Sequence, residues 1–450
     1  MKIVKMSLAA AVLVGASAFA VDNVKVSGDA QVFYSTSDAK DQTTNVIKGN
    51  TGDGTLFSKD SSAADAGLNL NISADLAKNS LVTVSAGAGY TVLSTLGLEN
   101  NLVSNVWGTS HAATATTGAS YASSPFGGAK VENANWMNEA WVAVSLNQLS
   151  KSTVKVGRME LDTPLAFTEK WSIEKNTFEA AVLINQDLPD TTLVGAYVGS
   201  GNGNETFGQD LTTASYTVAH NKLAVGGVVN QNGQFTTYGT DGAYAVGAIN
   251  NSFKPLTAQA WYYDVSRLAQ AYWLQGDVDA SALGLAGVTA GAQYANVKVE
   301  GTSNASQTVA GKLGYGMKDM FAASVAYSEV SKKGYLGAIN TATSTGASKL
   351  YTEAWWNYGQ ATKLGAQTWN VTVTSPVGGL FDAGLYVTAV DQTKTATPKP
   401  QDMTEVAVTA GKKFGPLDAT LAYVNTSFNN KTASNMQDSN MVQAYLTLNF

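Results

Sequence analysis

The sequence has no cysteine and only two histidines, His111 and His220. The first absence removes disulfides, thiol chemistry and thiolate metal sites, so stability has to come from backbone bonding and packing. The second leaves a histidine-based hydrolase centre poorly supplied, since one histidine falls in a long loop and the other at a turn. No predominantly apolar stretch of about 18 residues follows the first twenty, which argues against a transmembrane helix. Basic residues are also in deficit. With Lys2 and Lys5 set aside, 26 of the 28 basic residues face 34 acidic ones, and no basic patch exists for nucleic acid.

What is present fits poorly with a soluble domain: 43 glycines, 19 tyrosines and 9 tryptophans against 8 prolines and 14% charge. The start, "MKIVKMSLAAAVLVGASAFAVDN", reads as a secretory signal, with two lysines, an apolar run from Met6 to Val14 and an A-x-A site at Ala18-Phe19-Ala20. Cleavage after Ala20 is expected, leaving residues 21–450 as one barrel domain.

Beyond that point polar and apolar residues alternate in short runs. In "VDNVKVSGDAQVFYSTSD" the apolar or small set Val24, Val26, Gly28, Ala30, Val32 and Tyr34 is interleaved with Lys25, Ser27, Asp29 and Gln31. The same period recurs in "GLNLNISADLA", "LTAQAWYYD", "QTWNVTVTS" and the closing "MVQAYLTLNF", and period two is the mark of a strand with two different faces. Brief connections such as "MKD" and "KKFGPLD" interleave with long polar ones near 37–64, 95–134 and 330–365. Short turns on one rim and long loops on the other predict an all-β, transmembrane, antiparallel up-and-down β-barrel. About 18 strands are expected, or 20 if a weak pair between 211 and 230 forms a hairpin rather than a loop.

In hydrocarbon an unpaired N–H or C=O costs several kcal/mol, so strands can span only if the sheet closes. The strand near Val24 and the one ending at Phe450 are the expected partners. Leu446, Leu448 and Phe450 on the outward face of the last strand resemble the signal read by outer-membrane assembly machinery. Tyr34, Tyr90, Trp136, Tyr262, Trp273, Tyr327, Trp369 and Tyr423 fall near strand ends, as aromatic girdles require. Outer-membrane lipid and lipopolysaccharide would be the surroundings.

A barrel of this size is too wide for its side chains to fill, so its behaviour follows from what narrows it. The segment "MELDTPLAFTEKWSIEKNTFEA" and the arginine before it concentrate Arg158, Glu160, Asp162, Glu169, Lys170, Glu174 and Lys175. Charges of both signs at one point suggest a constriction with a transverse field. Pro164 fixes the backbone just after Asp162-Thr163, and Trp171 with Phe167 is suited to anchoring an inward-folded loop against the wall. Lys155, Glu179, Gln259 and Lys312 stand between apolar neighbours and are expected to face the lumen. Glu160, Asp162, Asp187 and Asp190 are carboxylates able to gather Ca2+, without an EF-hand spacing; no cofactor is required. "GSGNGNETFG" is a loop with no following helix, hence not a phosphate cradle.

The segments "VGRMELDTPLAF", "NTFEA", "AQAWYYD", "AYWLQGD" and the aromatic terminal strand together resemble the epsilonproteobacterial major outer membrane porins. That resemblance implies an 18-stranded barrel, a homotrimer, an inward-folded third loop, passive diffusion of ions and small hydrophilic solutes, and calcium near the constriction. Two other readings stand beside it. One is a substrate-specific channel for small organic acids or peptides, and the other a surface structural or adhesin protein. Nothing places a base beside a nucleophile, so an enzyme is not expected.

Overall fold

Alternation sorts each strand onto two faces, and burial shows which is which. In β15 (Ala366–Val377), Thr368 and Asn370 are buried while Trp369 and Val371 are exposed. In β18 (Leu417–Phe428), Ala422 and Val424 are buried between exposed Leu421 and Tyr423. The exposed set of large apolar side chains therefore points outward, and the buried set, with polar members such as Gln293, Thr388, Glu405 and Gln443, points inward. An exterior of this kind is stable in lipid, and the inner face is not.

The computed structural model describes residues 21–38, 55–57, 62–94, 134–171, 173–203, 228–229, 233–239, 241–343, 346–392, 402–429 and 438–450. The leader at 1–20, both histidines and all but Val228 and Val229 of the expected extra hairpin lie outside these residues. Strands run antiparallel in chain order from β1 (Asp22–Ser37) to β19 (Ser439–Asn449), and β19 pairs back with β1 from Asp29↔Asn449 to Ser37↔Met441. Eighteen strands form the closed wall. The remaining one, β8 (Thr236–Thr237), touches only the end of β7 (Thr191–Gly201). Because β7 pairs directly with β9 (Ala243–Asn250), from Thr191↔Asn250 to Val198↔Ala243, the wall has no gap there for another hairpin. Among the described residues no helix is long and apolar enough to cross a membrane.

The seam depends on a glycine. Gly28 N–H donates to the Phe450 carbonyl at 2.9 Å, and Phe450 N–H donates to the Gly28 carbonyl at 3.0 Å. A Cβ on Gly28 would lie 2.1 Å from the Asn69 carbonyl oxygen and 2.8 Å from the Phe450 ring. The terminal aromatic thus rests on the space the glycine leaves, on the outward face.

The two longest described connections leave from one rim as expected, but short ones at 266–268 and 300–305 leave from it too, so loop length does not separate the rims completely. Connections at 79–81, 147–151, 186–190, 318–320, 378–380 and 415–416 share one rim with both chain ends, and those at 160–177 and 331–365 leave from the other. Both of these fold back into the barrel. An apolar core joins them to one side of the inner wall, containing Met159, Leu165, Phe178, Tyr263, Trp273 and Leu350. The aromatic belt differs from the expected list at two members. Trp136 and Trp273 are buried, with Trp273 fully covered, because inward loops give those positions something to pack against. Tyr90, Trp369 and Tyr423 are exposed on the outside.

Candidate functional site

The loop 160–177 leaves β5 (Ser152–Met159) and returns as β6 (Phe178–Asn185). It crosses toward β2 (Ser62–Lys78), where Asn69 Nδ2 donates to the Ile173 carbonyl, and toward β4 (Ala134–Leu146), where Lys175 meets Glu139 at 3.6 Å. The loop 331–365 crosses from the other side. Gln293 on β12 (Val288–Val299) receives the Tyr351 N–H, and Glu405 on β17 (Met403–Phe414) accepts from Trp356 N, Asn357 N and Asn357 Nδ2 at 2.7 to 3.0 Å. A buried carboxylate with three donors is a satisfied anchor rather than a reactive group.

The two loops meet in the middle. Asn340, with no exposed surface, receives the Phe167 N–H at 3.1 Å and donates to the Phe167 carbonyl and to Glu169 at 3.0 Å each. Glu169 is also held by Trp171 Nε1 at 2.7 Å and by the Thr343 hydroxyl. Trp171 then packs edge-on against Trp356, with centroids 5.6 Å apart, and lies 5.8 Å from Tyr358.

The seven charged residues singled out in the sequence do not form one group. Arg158 shares its face with Val154 and Val156, both exposed, and pairs with Glu179 at 2.9 Å on the outer surface under the Phe235 ring. Glu174 is buried and accepts from the Val228 N–H at 3.4 Å. Glu169 is the buried loop anchor just described. Glu160, Lys170 and Lys175 form a chain of alternating charge with Glu139: Lys170 lies 2.5 Å from Glu160, and Lys175 bonds Glu160 from its other side. Burial alone would raise the Glu160 carboxyl, but Lys175 and Lys170 outweigh it and hold that group below the ordinary range. Burial would lower Lys175, and Glu160 with Glu139 overcomes it and keeps the ammonium above its usual value. Asp162 pairs across the gap with Lys349 of the other loop at 2.5 Å.

Of the four wall residues expected inside, Lys155, Gln259 and Lys312 face inward and Glu179 faces out. Lys155 lies over the Trp141 ring at 4.1 Å and Lys312 over the Tyr351 ring at 4.4 Å. Tyr351 reaches the wall because Gly291 is beneath it: a Cβ there would be 2.4 Å from the Tyr351 hydroxyl. The carboxylates Asp187 and Asp190 sit at the turn after β6, where Asp187 accepts from Ser150 and the Lys151 N–H, far in sequence and on the opposite rim from Glu160 and Asp162. Among the described residues no three Asp, Glu or His side chains converge as a metal site.

Two clefts open between the loops. One, of about 520 Å³, is bordered by Glu160, Asp162, Lys170, Trp171, Lys349 and Glu353. The other, of about 480 Å³, lies among Trp171, Trp355, Trp356, Tyr358, Tyr386 and Tyr445. Trp171, Glu353 and Tyr358 line both, so the clefts adjoin. Glu353 accepts from the Ser348 hydroxyl and from the Ala354 and Gly359 N–H groups. Burial still dominates, and its carboxyl is pushed up to about 7. Sequence reasoning took 331–365 as an outer loop. The available signal was its apolar and aromatic content, Leu350, Tyr351, Trp355, Trp356 and Tyr358, which an external loop has no use for.

No family model matches the chain, and no curated protein matches it. Solved structures do. Pseudomonas aeruginosa OccK1 (OpdK) aligns over 95% of this chain and 98% of its own at 14% identity, with a TM-score of 0.67. Acinetobacter baumannii OccAB1 aligns over 95% and 96% at 11% identity, with a TM-score of 0.68. A structure of Pseudomonas aeruginosa OpdK with vanillate gives 14% identity, 95% and 98% coverage and a TM-score of 0.66. The shared feature is the fold: a closed antiparallel barrel.

Proposed function

We propose that this chain is an outer-membrane porin, a passive water-filled channel throttled by the loops 160–177 and 331–365. The observation that carries the reading is the pair of adjoining clefts between those loops, one of them bordered by Glu160, Lys170, Asp162 and Lys349, inside a wall whose outer skin is apolar. Opposed charge rows across a narrow section orient dipolar solutes and set ion preference. The wall lies in a bacterial outer membrane, residues 1–20 direct export, and the outward side chains of Leu446, Leu448 and Phe450 present the closing strand to the assembly machinery. The family resemblance adds a homotrimer, which the native mass in detergent would report.

Liposomes loaded with an impermeant polymer and challenged with neutral sugars of graded size test the reading. Swelling that is fast for small sugars and falls off with size is expected. Folded chain in the vesicles with no swelling for any sugar would contradict it.

A second reading, a channel selective for particular solutes, is favoured by the aromatic lining of the inner cleft. The neighbour seen with vanillate gives one precedent for a ring-bearing solute in this fold. Saturating rather than linear flux for one solute class would separate the second reading from the first.

A further inference from the structure

We propose that the cleft walled by Trp171, Trp355, Trp356, Tyr358, Tyr386 and Tyr445 is a binding subsite for organic ammonium ions. This rests on the channel reading and names a solute class for its inner cleft. Ring faces attract cations through the π quadrupole, most strongly where water is excluded, and alkylammonium ions are the cations that shed water most readily. Here the rings stand at different angles: Trp171 meets Trp356 at 84° and Tyr358 at 42°, and Trp355 meets Tyr386 at 38°. A solute in the cleft therefore faces several rings at once. All six are only partly buried, which leaves ring surface open to the cleft.

The charge pattern selects the sign. Among the described residues no Lys, Arg or His lines this cleft, and the one carboxyl there is that of Glu353. The adjoining cleft carries Glu160, Asp162, Glu169 and Glu353 against Lys170 and Lys349, and both lysines are engaged by those carboxylates. A carboxylate-bearing solute would find no partner in the aromatic section, whereas an ammonium finds the ring faces, with the carboxyl of Glu353 adding to the field beside them. The cage is also held in place beforehand. Glu405 fixes the backbone at Trp356 and Asn357, Trp171 donates to Glu169, and Asn370 on the wall donates to the Glu353 carbonyl at 3.4 Å. Pre-positioned walls lose little freedom on binding.

The probe is tetraethylammonium chloride, added to the full chain in a planar bilayer bathed in KCl, with glucose and benzoate as neutral and anionic comparisons. Saturating block of the potassium current by tetraethylammonium alone is expected. Trp356→Leu or Trp355→Leu should weaken that block about fivefold or more, while Trp369→Leu, on the outer face, should leave it as in the wild type. Tryptophan fluorescence of the detergent-folded chain, titrated with the same salt, reads the cage whether or not the chain conducts. Equal block by glucose or benzoate, or a normal current with neither block nor fluorescence change, would overturn the subsite and leave the channel standing. A saturating fluorescence change without any current would keep the subsite and reject the channel.

Discussion

A single lysine holds the narrow section together electrically. Lys175 stands between Glu160 and Glu139, so Lys175→Gln leaves two carboxylates facing the lumen with one fewer cation between them. Reversal potentials across a KCl gradient should then move toward the potassium potential, by more than Arg158→Ala moves them, because Arg158 is spent on Glu179 outside the wall. Equal shifts would mean that the outer pair reaches the ion path. Glu353 adds a pH dependence. Its carboxyl loses its proton around 7, while burial keeps the neighbouring Tyr358 phenol above its ordinary value and hence neutral there. Glu169 and Lys170 from the third loop and Glu405 from the wall complete the charged surroundings. Cation preference should therefore rise between pH 6 and 8, and Glu353→Gln should flatten that rise. The sign for folding is opposite: a carboxyl raised in the folded state opposes folding once ionised, so the stability held below about 4.5 declines as pH climbs through about 7.

Between residue and barrel, the elements that matter are two loops and the polar joint between them. Asn340 satisfies both the N–H and the carbonyl of Phe167 and one oxygen of Glu169, all buried. Asn340→Ala strands the Phe167 N–H, worth about 1 to 3 kcal/mol when left without a partner, and removes the bonds that tie the Phe167 carbonyl and Glu169 to it, leaving those two to Asn176 and Thr343, so the loops should separate. Single-channel conductance should increase and grow noisier, with no change in the heat-modifiable gel mobility that reports the wall. Unaltered conductance would show that the joint does not set the bore. At this scale the sequence was partly legible. The third loop announced itself because mixed charge is crowded after β5, and the strands announced themselves by period two. The direction of Arg158 was not legible, since one step of register moves a side chain through the wall, and only the pairing with Ala140 and Glu179 fixes it. Nor did the interior placement of Trp136, Trp273 and the 331–365 loop follow from local pattern. An aromatic at a strand end serves a lipid girdle or an inner core equally well until its neighbours are known.

The whole molecule is a problem in satisfying backbone groups. Each of the eighteen wall strands bonds two neighbours, the last bonds the first through Gly28 and Phe450, and no edge is left in the wall. That closure was expected of the alternating segments near Val24 and Phe450, and the pairing of β1 with β19 shows it. What the wall encloses was less readable. One side of the bore is filled by an apolar core around Phe178, Tyr263 and Trp273, and among the described residues two clefts open between the loops. The outside is greasy and the path through the middle polar or aromatic, which is the arrangement of a channel rather than of a soluble sandwich. The central claim is that a wetted path runs through this closed wall from rim to rim. Single-channel recording of the folded chain in a planar bilayer tests it most directly: discrete, repeatable current steps are predicted, and a correctly folded, membrane-inserted barrel that passes no current at any voltage would contradict it.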